Sequence, residues 1–144
     1  MTKKLLHESS AVPLAPTAGG YKAVLITPGQ GSSGVYSESM LREFASTAFP
    51  PGTHAYVDHP TEQNPGRSPE KLIGIYPEGA TYEDGVGVVA NFVPMPHWAA
   101  FVEAVAPYTG LSIYAMGESD AQGNVTALVE DVQNSVDLVS YPGR

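Results

Sequence analysis

Thirteen prolines and fifteen glycines punctuate this chain of 144 residues. Such punctuation makes a chain turn often and leaves little room for long helices. What lies between the turns is a series of short apolar runs, the pattern of a fold built from short strands with few helices. With 42% hydrophobic residues the sequence can fill one ordinary core, and its length suits a single domain.

Residues 1–20 read as a flexible tail, because Ala11 to Pro16 and Ala18 to Gly20 carry neither a helical nor a strand period. Tyr21 to Thr27 reads as the first strand. Pro28 to Gly34 reads as a flexible Gly/Ser-rich loop; it lacks the Lys-Ser/Thr and the dinucleotide spacing of a phosphate-binding loop. Ser37 is placed to cap a helix running to about Ala48, with Met40, Leu41, Phe44 and Ala45 on one face and Pro50-Pro51-Gly52 as its stop. Strands are expected at Thr53 to His59, Lys71 to Tyr76, Val86 to Val93, Thr109 to Met116, Val125 to Val132 and Ser135 to Tyr141. Thr61 to Pro69 reads as a polar loop, and Pro77 to Gly85 and Gly117 to Asn124 as turns. The spacing of Trp98, Phe101, Val102 and Val105 predicts a second helix from Pro96 to about Ala106. No repeats appear. The fold class is therefore mainly β with helices (α+β), an antiparallel sheet or barrel rather than a doubly wound one.

Composition narrows function. The absence of Cys excludes a disulfide framework, a thiolate nucleophile and a Cys-based zinc site. A net charge of −8 disfavours phosphate backbones, so no nucleic-acid partner is expected. No apolar run approaches the roughly 20 residues of a membrane helix, and no secretory signal is expected at the start.

Three segments place a chemically useful side chain in or beside an apolar run. His59, in Asp58-His59-Pro60, closes a strand and is held by a sheet yet able to reach a cleft. On its own that segment favours a surface histidine beside a turn. Ser112, in Gly110-Leu111-Ser112-Ile113, is a hydroxyl on a rigid strand; most strand serines only bond to backbone. Tyr114 replaces the last glycine of a G-x-S-x-G elbow and strand follows, so an α/β-hydrolase is disfavoured. Asp137, in Ser135-Val136-Asp137-Leu138-Val139, is simply exposed if Val136 and Leu138 form the core face, and otherwise needs a partner such as an imidazole. No His lies downstream of His97, so an acid must complete any trio with Ser112 from that side. Glu118, Asp120, Glu130, Asp131 and Asp137 are available, and Asp137 is best fixed by a sheet. A base, a nucleophile and an acid of this kind make a hydroxyl attack a carbonyl. A rival is a metal site of His54, Asp58, His59 and His97. His54 and His59 would point to opposite strand faces, however, and no helical His-x-x-x-His pair exists, so no metal is expected.

The segments Tyr36 to Arg42, Asp58-His59-Pro60-Thr61, Arg67, Leu72-Ile73-Gly74, Gly110 to Ile113 and Ser135 to Val139 together resemble the capsid maturation (prohead) proteases of tailed bacteriophages, relatives of the herpesvirus assembly protease. The intervals of 53 residues from His59 to Ser112 and 25 from Ser112 to Asp137 are similar to that family's. The resemblance implies a small, mostly antiparallel β-barrel wrapped by helices over residues 21–144. It implies a serine endopeptidase without a cofactor, with Ser112 as nucleophile, His59 as general base and Asp137 as orienting acid. Capsid and scaffold proteins, and the protease's own flanks, are the implied substrates, and the interior of the viral procapsid, assembled in the host cytoplasm, is the implied location. Self-association stays open. In the herpesvirus relatives a segment after the third member supplies the oxyanion hole; here the sequence reaches Arg144 soon after Asp137, so a C-terminally truncated domain is an expectation and the oxyanion donors are unassigned. A non-catalytic head-assembly domain with the same fold is the second reading.

Overall fold

The computed structural model describes residues 2–10, 12–61, 63 and 66–140. Its elements follow in chain order as β1 (Thr2–Ser10), β2 (Ala15–Thr17), β3 (Gly20–Ile26), β4 (Gly29–Gly31), β5 (Gly34–Tyr36) and α1 (Glu38–Ala48). Then come β6 (Thr53–Tyr56), β7 (Leu72–Tyr76), β8 (Thr81–Glu83), β9 (Gly87–Pro94), α2 (Ala99–Val105), β10 (Gly110–Ser119), β11 (Asn124–Val129) and β12 (Ser135–Val139). Among the described residues the strands join into one sheet, in the order β2-β3-β9-β7-β6-β12-β10-β11-β5-β4, with β1 on β10 and β8 on β9. All pairings are antiparallel except β11 with β5 and β12 with β6. The sheet curls into a half-barrel around its core, so the mainly β class with two helices holds. No helix among the described residues is long and apolar enough to cross a membrane.

Helix α1 begins where its chemistry dictates. Ser37 is extended and its Oγ accepts the Met40 N–H at 3.2 Å, a cap worth about 1 kcal/mol. Met40, Leu41, Ala45 and Ala48 face the core, and Pro50-Pro51 cannot continue the helix. The second helix is shorter than its periodicity suggests. Proline-led 3-10 turns at Pro96–Trp98 and Ala106–Tyr108 flank α2, which buries Val102 and leaves Phe101 exposed.

Three sequence expectations need correction. Residues 1–20 are not a tail: Thr2–Ser10 forms a strand paired along β10, and Ala15–Thr17 pairs with β3. The apolar period is hidden because the inward positions of β1 are Leu6, Glu8 and Ser10, only one of them hydrophobic. The buried Glu8 carboxylate is satisfied by the N–H groups of Ser32 and Ser33, at 2.8 and 3.0 Å. The segment Pro28 to Gly34, expected as a loop, is therefore the β4–β5 hairpin, tied to β1 by this carboxylate. A Cβ at Gly31 would meet the Glu8 carboxyl group, so any larger residue there would push the carboxylate from its place on the hairpin. The expected strand Thr53 to His59 ends at Tyr56, after a register shift between Ala55 and Tyr56. In the last strand, Ser135 to Val139 is extended as expected, while Tyr141 and the Pro142-Gly143-Arg144 end lie outside the described residues.

Strand β10 is flanked on both sides. Strand β1 runs along one edge of it from Leu111 to Ser119. The other edge is shared in tandem, by β12 over Gly110 to Tyr114 and by β11 from Met116 onward. Ser112 thus lies directly between Ser9 and Asp137, and Tyr114 between His7 and Ser135. Because cross-strand partners share a face, these six residues make a polar patch two rows deep. The opposite face carries Leu111, Ile113, Val136 and Leu138 into the core.

Candidate active site

The polar patch is covered by the chain that leaves β6. Val57 bridges to Leu138, and the Asp58 N–H donates to the Leu138 carbonyl at 3.0 Å. Asp58 then adopts φ 61°, a left-handed conformation that aspartate tolerates better than most residues. This single reversal ends the strand alternation and swings His59 over β12 and β10. His59 is therefore fixed by a turn, and not by the strand end expected from sequence.

The imidazole bridges two strands. His59 Nδ1 lies 2.6 Å from Asp137 Oδ2, and Nε2 lies 2.9 Å from Ser112 Oγ. A carboxylate only accepts, so Nδ1–H donates to Asp137. In the neutral ring Nε2 then carries the lone pair and accepts the Ser112 hydroxyl. The structure brings together His59, Ser112 and Asp137, all three of the sequence-derived candidates.

Asp137 is fully buried, although Val136 and Leu138 do form the core face. The alternation rule correctly turned the carboxylate away from that core but assumed water on the other side, where the segment after β6 lies instead. The charge is compensated by four donors. Oδ1 accepts the Tyr56 backbone N–H at 3.0 Å. Oδ2 accepts His59 Nδ1–H, the Ser135 hydroxyl at 3.0 Å and Arg67 Nη2–H at 3.1 Å. Buried carboxylates persist only with such company. The charge also acts on the core: burial, with Asp137 nearby, pushes the Tyr76 hydroxyl well above its ordinary range.

The other acids stay elsewhere. Asp120 accepts from Gln122, Asn124 and the turn they form, and its carboxyl is held below the usual range by the Asn124 side chain first. Asp131 accepts from the Gln133 N–H, and Glu118 pairs across from Lys3 and Ala127. The metal reading fares no better. His54 is exposed with Nδ1 3.0 Å from Tyr56 Oη, and His97 lies beside Trp98. Among the described residues no three such groups converge to hold a metal.

Two residues that sequence reasoning left without a role belong to the site. Arg67 contacts Asp137 and Ser135 and lies over the Tyr56 ring, 4.3 Å from its centroid. His7, placed in the supposed tail, has its ring centroid 5.1 Å from that of His59 and 5.2 Å from that of Tyr114. Only the pairing of β1 with β10 brings it there, and no local motif announces such a contact.

His7 gives the protein an acid sensitivity. Partial burial lowers it from its ordinary 6.5, the nearby His59 acts in the same direction, and Asp137 opposes. The unfolded chain thus binds this proton more readily than the folded one. The His7 share of stability is present above pH 6.5 and is lost as pH falls through the lower folded value. His7 remains exposed on its outer side, so solvent screens the effect and keeps it small. His7→Phe, which keeps a ring on Tyr114, is expected to lose less thermal stability than the wild type between pH 7.5 and pH 5. Parallel melts at the two pH values check this.

No protein-family model matches this chain, and no curated protein sequence matches it. Among solved structures it is similar to the bacteriophage T4 capsid assembly protease, gp21, with a TM-score of 0.56 at 16% identity. The alignment covers 97% of this chain and 99% of that one. At that identity the likeness is one of fold, and it extends over the whole chain.

Proposed function

We propose that this protein is a serine endopeptidase of capsid maturation. The observation that carries the reading is the hydrogen-bonded line from Ser112 Oγ through the His59 ring to Asp137 Oδ2. The fold shared with a capsid assembly protease supports the peptidase class and the setting.

Ser112 is a weak nucleophile as a free hydroxyl. In the proposed reaction its Oγ attacks the carbonyl carbon of a peptide bond while His59 Nε2 takes the proton. The imidazolium that forms keeps its Nδ1–H on Asp137, which holds the ring in register and balances its charge. His59 then protonates the departing amine, and an acyl ester remains on Ser112. Water attacks the ester by the same route, its proton passing to His59 and then back to Ser112. Substrates are scaffold and capsid-protein segments, with the protease's own flanks, inside an immature shell.

The test is proteolysis by the purified protein of the capsid and scaffold proteins that share its genome, with Ser112→Ala as control. Defined new termini that form with the wild type and not with the variant are expected. Intact substrates in both samples would instead leave a head-assembly domain with the fold and no activity. Equal cleavage by both would remove Ser112 from the reaction.

A further inference from the structure

We propose that Arg67 is a positioning residue that locks the acid and the base of this site together. The catalytic consequence rests on the peptidase reading above; the placement does not.

The guanidinium ties three parts of the site at once. Nη2 donates to the Ser135 hydroxyl at 2.7 Å and to Asp137 Oδ2 at 3.1 Å. Nη1 donates to the backbone carbonyl of Asp58 at 3.2 Å. That carbonyl belongs to the left-handed residue from which His59 swings over the sheet. One planar group therefore spans the turn that aims the base and the strand that carries the acid. Its flat face is held in turn, over the Tyr56 ring at 4.3 Å and near Tyr114 at 5.1 Å. A lysine would supply the charge but not this fork.

The oxygen matters as much as the fork. Arg67 donates to Oδ2, the same atom that receives His59 Nδ1–H at 2.6 Å. Held at Oδ2 by Arg67 and Ser135, the carboxylate is kept from turning away from His59 Nδ1, and the ring keeps Nε2 on Ser112 Oγ. Other charged or titratable groups around His59 are His7 and Tyr114, whose rings touch it, and Asp58, which precedes it. Lys71 and Tyr56 line the cleft of about 140 Å³ that His59 and Arg67 share. Among the described residues, Arg67 is the one permanent cation bonded to Asp137.

The test compares wild type, Arg67→Gln and Arg67→Lys by two readouts. One is the rate at which a small fluorophosphonate labels Ser112 at pH 8. The other is the NMR resonance of the His59 Nδ1–H held on Asp137, identified by its absence in His59→Gln, which needs no activity. A His7→Phe background keeps the neighbouring histidine out of both. In Arg67→Gln the labelling rate is expected to fall about 10- to 100-fold as the ring loses its aim, and the Nδ1–H resonance to broaden or vanish. Arg67→Lys is expected to lose about tenfold in rate and to weaken the resonance, for want of the fork.

A wild-type rate together with a wild-type resonance in Arg67→Gln or Arg67→Lys would overturn the positioning. A strap that only held the loop would lower the melting temperature and leave both readouts at wild-type values. Should Arg67→Gln fail to fold, the lysine variant decides by both readouts. Should wild-type Ser112 resist the probe, the peptidase reading fails, while the Nδ1–H resonance still decides the role of Arg67.

Discussion

Ser112→Ala is expected to yield a folded protein that cleaves nothing. The hydroxyl is the atom that forms the new bond, and no other group of the patch can replace it. Ser9 and Ser135 flank the site, yet Ser135 donates to Asp137 and neither is bonded to His59 Nε2. In other enzymes with such a trio, loss of the serine lowers turnover by about 10⁶-fold, and a loss of that order is expected here. The fold should survive. The substitution removes one buried hydroxyl, and the His59 ring that loses its partner is itself partly exposed, so stability should change by about 1 kcal/mol. Cleavage assays beside thermal melts read both quantities. Proteolysis by the folded variant at the wild-type rate would reject Ser112 as the nucleophile.

Asp137→Asn is expected to be milder in rate and more damaging to the fold. An amide offers one oxygen and one NH₂ where the carboxylate offered two acceptors to four donors. With the oxygen toward Tyr56 N–H, the NH₂ faces His59, Arg67 and Ser135. His59 must then turn its lone pair to Nδ1 and its proton to Nε2, the tautomer that cannot take a proton from Ser112. With the amide reversed, the NH₂ opposes the Tyr56 N–H. Either way donors confront donors in a buried site, at a cost of about 2–4 kcal/mol and a melting temperature lower by roughly 10 °C. The rate should fall by about 10⁴-fold, as it does when the acid of a related trio becomes an amide. Single-turnover cleavage from pH 6 to 9, with calorimetry, measures both. Wild-type rates throughout would reduce the site to a Ser112–His59 pair.

What the sequence could say about this protein divides along physical lines. Where a strand has one apolar face, its period is visible, and Leu111, Ile113, Val136 and Leu138 mark the two strands that carry Ser112 and Asp137. Once those strands pair in antiparallel register, the serine and the acid meet without further information. Helix α1 is equally legible, because Ser37 and Pro50-Pro51 set its ends by local chemistry. Strand β1 is not, since its inward Glu8 and Ser10 are satisfied by a distant hairpin and not by apolar burial. With β1 goes His7, a neighbour of the base. The aim of His59 depends on one left-handed residue, Asp58, and a strand-alternation rule assigns it to the wrong face. Arg67 stands among the segments of the resemblance, but its partners come from β12 and from the turn after β6, which only tertiary structure brings within reach.

The central claim is that Ser112 is a nucleophile activated by His59. The most direct measurement is mass spectrometry of the protein after exposure to a fluorophosphonate at pH 8, followed by peptide mapping. One adduct per molecule, on Ser112, is expected in the wild type, with labelling slowed about 10⁴-fold or more in His59→Gln. An unmodified Ser112, or an adduct formed equally fast without His59, would contradict the account.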